Sequence, residues 1–242
     1  MSKKISLYQI LKRSGLFESK QAIIKAVSKG KVTVDGRVTT TTKFQCNPNK
    51  REVLVNGEKV EFVELFYFIL NKPRDYSCQS NDRYPSVLEL IDADTLVKNT
   101  LFPVGRLDIP TTGLLIITND GPFGKNILEP KEEIEKKYKV LLSEKITSEQ
   151  IEDLEQGVKI RIFESYVWTK PAKVKVIDDY QIYLTITEGK YRQVRKMCES
   201  VGNRVMSLER VSIGKLVLPP KLYEGNYKKI SAGEIKKLVL GK

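Results

Sequence analysis

The chain has 242 residues and a mass of 27.6 kDa, enough for a small and a medium domain, each with its own core. Hydrophobic residues make up 40% and charged residues 30%, and no apolar run reaches the roughly 18 to 20 residues needed to span a bilayer, so a soluble protein is expected. Lysine and arginine total 42 against 30 acids, a formal charge of +12, and histidine is absent. The excess points to a polyanionic partner, nucleic acid first, and the lack of imidazole excludes triad and metal-hydrolase schemes built on it.

Met1 to Lys4 is followed by the mixed stretch ISLYQILKRSG rather than an apolar core with a small-residue cleavage site, so no export signal is expected. Cys46, Cys78 and Cys198 are odd in number and far apart, which fits a reducing compartment, the cytoplasm, and offers no metal-ligand spacing. Charge is uneven: residues 1–60 hold 13 basic residues against 4 acids, which is +9 of the +12. A basic run is often only a solvated face, but this concentration marks a binding segment.

Leu7, Ile10 and Leu11 repeat at helical spacing up to Ser14-Gly15, and Ala22, Ile23, Ala26 and Val27 repeat between Ser19 as N-cap and Gly30 past the end. KVTVDGRV then alternates around Asp35-Gly36, a pair suited to a tight hairpin, and EVLVNGEKVEF predicts a second hairpin turning at Asn56-Gly57. This helix–helix–hairpin unit would gather Lys20, Lys25, Lys29, Lys31 and Arg37 as RNA contacts. A domain boundary is expected at 62/63. The first part resembles the small RNA-binding domain shared with ribosomal protein S-four, although Ser6-Leu7-Tyr8 and Asp35-Gly36 depart from that family's usual start and turn.

Beyond residue 63 the strand-like runs ELFYFIL, GLLIIT, KYKVLL, AKVKVI and QIYLTIT are interspersed with helical patterns at residues 148–156, 192–201 and 232–240. Short polar turns such as Asp178-Asp179 join some strands. An α+β domain with a mainly antiparallel sheet follows.

Residues 104–121, VGRLDIPTTGLLIITNDG, place Arg106, Asp108, two threonines and Gly113 in a loop leading into an apolar strand. A carboxylate there stands at the mouth of a sheet beside a guanidinium. Read alone, this could be an Arg–Asp pair tying down a loop, or a catalytic carboxylate. The stretch closely resembles the signature loop of pseudouridine synthases of the RsuA/RluB branch. LNKPRDYSC at 70–78, KKYKV at 136–140 and EGKYRQVRKM at 188–197 resemble other motifs of that branch, in order.

The resemblance implies an RNA pseudouridine synthase, an isomerase acting on a structured ribosomal RNA with a looped-out uridine. It further implies that Asp108 is the catalytic carboxylate, attacking the sugar or removing its C2′ proton. Tyr138 would stack on the target base, and Arg195 would pair with Asp108. Either role for Asp108 needs an ionised carboxylate in a partly dry pocket, hence a fixed cation. Val194, Met197, Cys198 and Val201 form an apolar helical face, leaving Arg192, Arg195 and Lys196 on the polar side. Arg106, Arg192, Lys196 and Lys72, the last in the Asn71-Lys72-Pro73 turn, are expected as RNA or phosphate contacts. Cys78 and Cys198 are expected in or near the core. The reaction needs no metal, redox partner or nucleotide, in keeping with the lack of a CxxC pair, a GxGxxG fingerprint or a P-loop. A monomer without a small-molecule cofactor is expected. The competing expectation is a non-catalytic RNA-binding or ribosome-assembly factor on the same fold; a DNA-binding regulator fits the charge but not the motifs.

Overall fold

The computed structural model describes residues 4–79, 83–129 and 132–241, so the start of the chain, Met1 to Lys3, lies outside the described residues. Packing divides the chain into two units, Met1–Leu65 with Asp92–Leu101, and Phe66–Ile91 with Phe102–Lys242.

In the first unit, helix α1 (Leu7–Lys12) opens with a capping box between Ser6 and Gln9. In α2 (Lys20–Ser28), Ser19 Oγ accepts from the Ala22 amide at 3.1 Å, and Gly30 follows at φ +71°. Strands β1 (Val32–Val34), β2 (Arg37–Val38), β3 (Val53–Val55) and β4 (Glu58–Lys59) form one antiparallel sheet in the order β2-β1-β3-β4. Both turns carry the paired positive φ values of tight hairpins, 49° and 75° at Asp35-Gly36 and 52° and 87° at Asn56-Gly57. The two expected hairpins thus merge through β1 and β3 over a core that includes Leu7, Ile10, Leu11, Ile23, Val32 and Val53.

The second unit is a large sheet with helices. Its strands are β5 (Tyr67–Lys72), β6 (Thr112–Thr118), β7 (Lys136–Leu142), β10 (Lys173–Val176), β11 (Gln181–Ile186), β12 (Val205–Ile213) and β13 (Tyr227–Lys229); β8 (Lys159–Ile162) and β9 (Ser165–Trp168) form a separate hairpin. The order is β10-β11-β7-β12-β6-β5-β13, with short strands Phe102–Pro103 beside β6 and Leu216–Val217 beside β12. Among the described pairings in this sheet, only β6–β12 is parallel. The mainly antiparallel α+β expectation holds.

Helices α3 (Gly121–Leu128) and α6 (Ala232–Leu240) share a core with one face of the sheet, where Phe123, Ile127, Ile235 and Val239 meet Tyr67, Ile69, Leu114 and Ile116. Asp120 locks this layer: it accepts from Tyr67 Oη at 2.6 Å and caps α3 through the Phe123 amide at 3.1 Å, and Lys236 Nζ lies 3.1 Å from it. Burial opposes its charge, but these hydrogen bonds and Lys236 outweigh burial and hold the carboxyl below its ordinary range. Helices α4 (Ser148–Gln156) and α5 (Gln193–Ser200) complete the unit. Among the described residues, no helix is long and apolar enough to cross a membrane.

Candidate active site

The loop between Val104 and Thr111 is held at several points around Asp108. The Leu107 amide donates to Cys78 Sγ at 3.4 Å, the Asp75 amide donates to Ile109 O at 3.2 Å, and the Thr111 amide donates to Asp108 O at 2.9 Å. Lys72 Nζ donates to the carbonyls of Pro73, Ile109 and Thr111 at 2.9, 3.1 and 3.0 Å. Lys72 is 0% exposed, so the expectation that it meets phosphate is corrected: its three N–H donors are spent inside the protein, two of them on loop carbonyls just after Asp108. The sequence offered no sign of this, because two of the acceptors lie 37 and 39 residues downstream.

Two guanidiniums face the Asp108 carboxylate, with Arg195 Nε and Arg192 Nε each 3.8 Å from Oδ2. That spacing makes ion pairs rather than hydrogen bonds. The Arg195 side chain is only 11% exposed. Its Nη1 donates to Val205 O at 3.2 Å and its Nη2 to Thr111 Oγ1 at 3.5 Å, while its Nε has no hydrogen-bond partner among the described residues. Burial lowers its pKa and the charge of Asp108 opposes that shift; an arginine stays protonated regardless. Arg192 lies just before α5, not within it, at φ 49°, ψ 34°. The backbone there is fixed by Gln193, whose Oε1 accepts from the Lys190 amide at 2.9 Å and whose Nε2 donates to Glu188 Oε1 at 2.7 Å; Lys190 Nζ also pairs with Glu188. Arg106, the guanidinium nearest to Asp108 in sequence, is exposed, and among the described ion pairs it makes none with Asp108. The fixed cation comes from 87 residues away in the chain.

Asp108 lies on a cleft of about 1170 Å³, lined also by Arg106, Cys78, Lys136, Tyr191 and Arg192. An adjoining recess of about 130 Å³ is lined by Asp108, Tyr138, Lys136, Arg192 and Arg210. Tyr138 and Lys136 alternate along β7 as buried positions, so both fall on one side of the strand. Lys136 Nζ donates to Ile134 O at 3.0 Å, and burial, then the charge of Arg210, pushes its pKa down to about 8. Arg210 is buried on β12; its Nε donates to Leu114 O at 2.8 Å, and its Nη2 has no hydrogen-bond partner among the described residues. Sequence reasoning passed over both residues, although the alternation of KKYKV carried the signal for Lys136.

Burial raises the pKa of the Cys78 and Cys198 thiols, that of Cys198 to about 12, so both stay neutral at ordinary pH. Lys196 is half-buried on α5 and lines neither cavity. In the N-terminal unit, Lys20, Lys25, Lys29, Lys31 and Arg37 are all exposed, on α2, the following turn and β2.

A family model described as RNA pseudouridylate synthase matches residues 66–200, and an S4 domain model matches residues 7–51. A Bacillus subtilis protein described as an uncharacterized RNA pseudouridine synthase is 38% identical over 234 residues, 95% of this chain and 96% of that protein. The ribosomal small subunit pseudouridine synthase A of Haemophilus influenzae is 36% identical over 217 residues, 89% of this chain and 91% of that protein. A crystal structure described as a pseudouridylate synthase superposes with a TM-score of 0.69 at 34% identity, covering 97% of this chain and 100% of that one. With the family model spanning more than half of the sequence and full-length relatives above 30% identity, the chain belongs to the RNA pseudouridylate synthases.

Proposed function

We propose that the chain isomerises a looped-out uridine of ribosomal RNA to pseudouridine, in the cytoplasm and as a monomer, with Asp108 as the catalytic carboxylate. The observation that carries this reading is the Asp108 carboxylate on a large open cleft, 3.8 Å from a nearly buried arginine and from a second, more exposed one. The ribosomal substrate follows relatives named for the ribosomal small subunit.

The reaction breaks the N1–C1′ bond, turns the base and joins C5 to C1′; C5 gives up its proton and N1 takes one up, so the product is an isomer of the substrate. Atoms and electrons balance without an oxidant or reductant. Asp108 acts from its ionised form, by attack at C1′ or by removing the C2′ proton; both need the charge compensation that Arg195 and Arg192 supply in a half-dry setting. Tyr138 offers a ring for the flipped base and a phenol for proton transfer. Lys136 and Arg210 line the recess with donor groups suited to uracil carbonyls. Arg106 supplies charge for phosphate on the cleft, as does Lys196 on α5 and, at the N-terminal unit, Lys20, Lys25, Lys29, Lys31 and Arg37.

The test is pseudouridine mapping of total ribosomal RNA from cells lacking the gene, complemented with wild type or Asp108→Asn. One modified position that returns with wild type alone is expected. Restoration by Asp108→Asn would overturn the assignment of the carboxylate, and an unchanged map would overturn the ribosomal substrate.

A further inference from the structure

The β8–β9 hairpin is two-sided. Its register pairs Lys159 with Trp168, Ile160 with Val167, Arg161 with Tyr166 and Ile162 with Ser165. Side chains alternate along a strand, so Lys159, Arg161, Tyr166 and Trp168 share one face and Ile160 and Val167 the other. Ile160 is buried, and β8 packs against α5, the helix that carries Arg195. The opposite face is open: Tyr166 is 62% exposed and Trp168 68%, and Lys159 Nζ lies 5.3 Å from the centroid of the Tyr166 ring.

Single exposed aromatic residues are ordinary. Here, of the four aromatic side chains more than 60% exposed among the described residues, three stand on this hairpin, Phe163 being the third at 74%. Phe163 occupies the two-residue turn at φ 53°, a conformation that glycine or asparagine adopts with less strain. Its ring stacks on Tyr191, with centroids 5.2 Å apart and planes at 20°. Tyr191 lines the large cleft and directly precedes Arg192, one of the two cations facing Asp108. The turn of the hairpin therefore touches a residue that lines the candidate active site.

We propose that this hairpin face is a stacking platform for unpaired nucleotides flanking the target uridine, an inference that rests on the RNA reading above. The rings match the π-faces of any base, and Lys159 and Arg161 match the phosphates between them. The four residues of the face include no acid. A second copy of this chain, itself at +12, would meet like charge there, whereas a polyanion would not.

Trp168 is the only tryptophan in the sequence, so its emission reports on this face directly. The experiment titrates the full-length Asp108→Asn protein with a single-stranded oligouridylate and with a blunt duplex RNA of equal length, following Trp168 emission and filter retention together. Single-stranded RNA is expected to quench the emission, and duplex RNA to do so far less. In the active enzyme, Phe163→Ala and Tyr166→Ala are each expected to raise KM for a ribosomal RNA transcript roughly fivefold to tenfold, leaving kcat and the urea midpoint unchanged. Retained single-stranded RNA with unaltered emission would overturn the platform and leave the face to a protein partner. Because quenching is read without turnover, an enzyme that proved inactive on uridine would sink the catalytic reading while leaving this result standing.

Discussion

A β-carbon on Gly113 would stand 2.4 Å from the Arg210 carbonyl oxygen and 2.7 Å from the Arg210 nitrogen. Gly113 pairs with Arg210 in the parallel ladder, and its φ is +101°. The end of the Asp108 loop can therefore reach the strand that carries Arg210 only where a residue has no side chain.

Gly113→Ala is expected to destabilise the protein by about 2–4 kcal/mol, since backbone atoms cannot move aside as a flexible side chain could. A urea denaturation series checks this against wild type. A midpoint shift no larger than that of Gly225→Ala, also at positive φ but with open space around it, would show that the close approach costs nothing beyond backbone strain.

Lys72→Met removes the donor shared by the carbonyls of Pro73, Ile109 and Thr111; Ile109 O keeps the Asp75 amide, while those of Pro73 and Thr111 lose this donor. Burial already lowers the pKa of this amine, so part of that loss is offset by removing a desolvated charge. A net loss of about 1–3 kcal/mol is expected, with a fall in kcat as the loop around Asp108 loosens and RNA affinity nearly unchanged. Weakened RNA retention at unaltered stability would restore Lys72 as a phosphate contact.

Legibility in the sequence followed the range of the signals. Ser19 and Gly30 bracket α2, and Asp35-Gly36 and Asn56-Gly57 turn the hairpins, because those residues act on backbone within four positions of themselves. The strand β12, nine residues long, escaped notice: its buried positions include Arg210 and Ser212, so the alternation is disguised by polar residues turned inward. Helix α3 was hidden by Gly121, Pro122 and Gly124, which depress helix propensity, although Asp120 caps it. At the site, the motifs marked Asp108 and Arg195, yet local reading supplied Arg106 as the nearby guanidinium. Which arginine meets Asp108 depends on how α5 is placed, and that is fixed by tertiary packing.

Lys136 gives the protein a pH-dependent stability of definite sign. Its folded pKa of about 8 lies below the ordinary value of 10.5, with burial and then Arg210 as the causes. Below about pH 8 the amine is charged in both folded and unfolded chains, and the full burial cost is present. Between pH 8 and 10.5 the unfolded chain holds the extra proton, so stability rises with pH, by about 3 kcal/mol in all. Lys136→Met is expected to lack this rise, narrowing its difference from wild type between pH 7.5 and 10. Parallel stability curves for the two proteins would show that Lys136 keeps an ordinary pKa when folded.

Arg195 and Arg192 lie at the same 3.8 Å from Asp108 but differ in exposure, 11% against 44% for their side chains. Charge interactions strengthen as water is excluded, so the buried partner should matter more. Arg195→Met is expected to lower the single-turnover rate by roughly 10² to 10³, and Arg192→Met by less than about tenfold. Equal losses would mean that both arginines are equally dry once RNA fills the cleft.

The exposed basic residues of the N-terminal unit make a prediction independent of the chemistry. Lys20, Lys25 and Lys29 lie on α2 or at its C-cap and are exposed, so replacing them with glutamine should leave the urea midpoint in place. Removing one lysine that neutralises a phosphate lowers the slope of log affinity against log salt by roughly one. The triple variant should therefore bind a ribosomal RNA transcript more weakly, with a salt slope reduced by up to about three and with kcat at saturation unchanged. Filter binding across a salt series checks this. An unchanged slope with unchanged affinity would mean that α2 stays solvated in the complex, leaving the charge of the catalytic unit to hold the RNA.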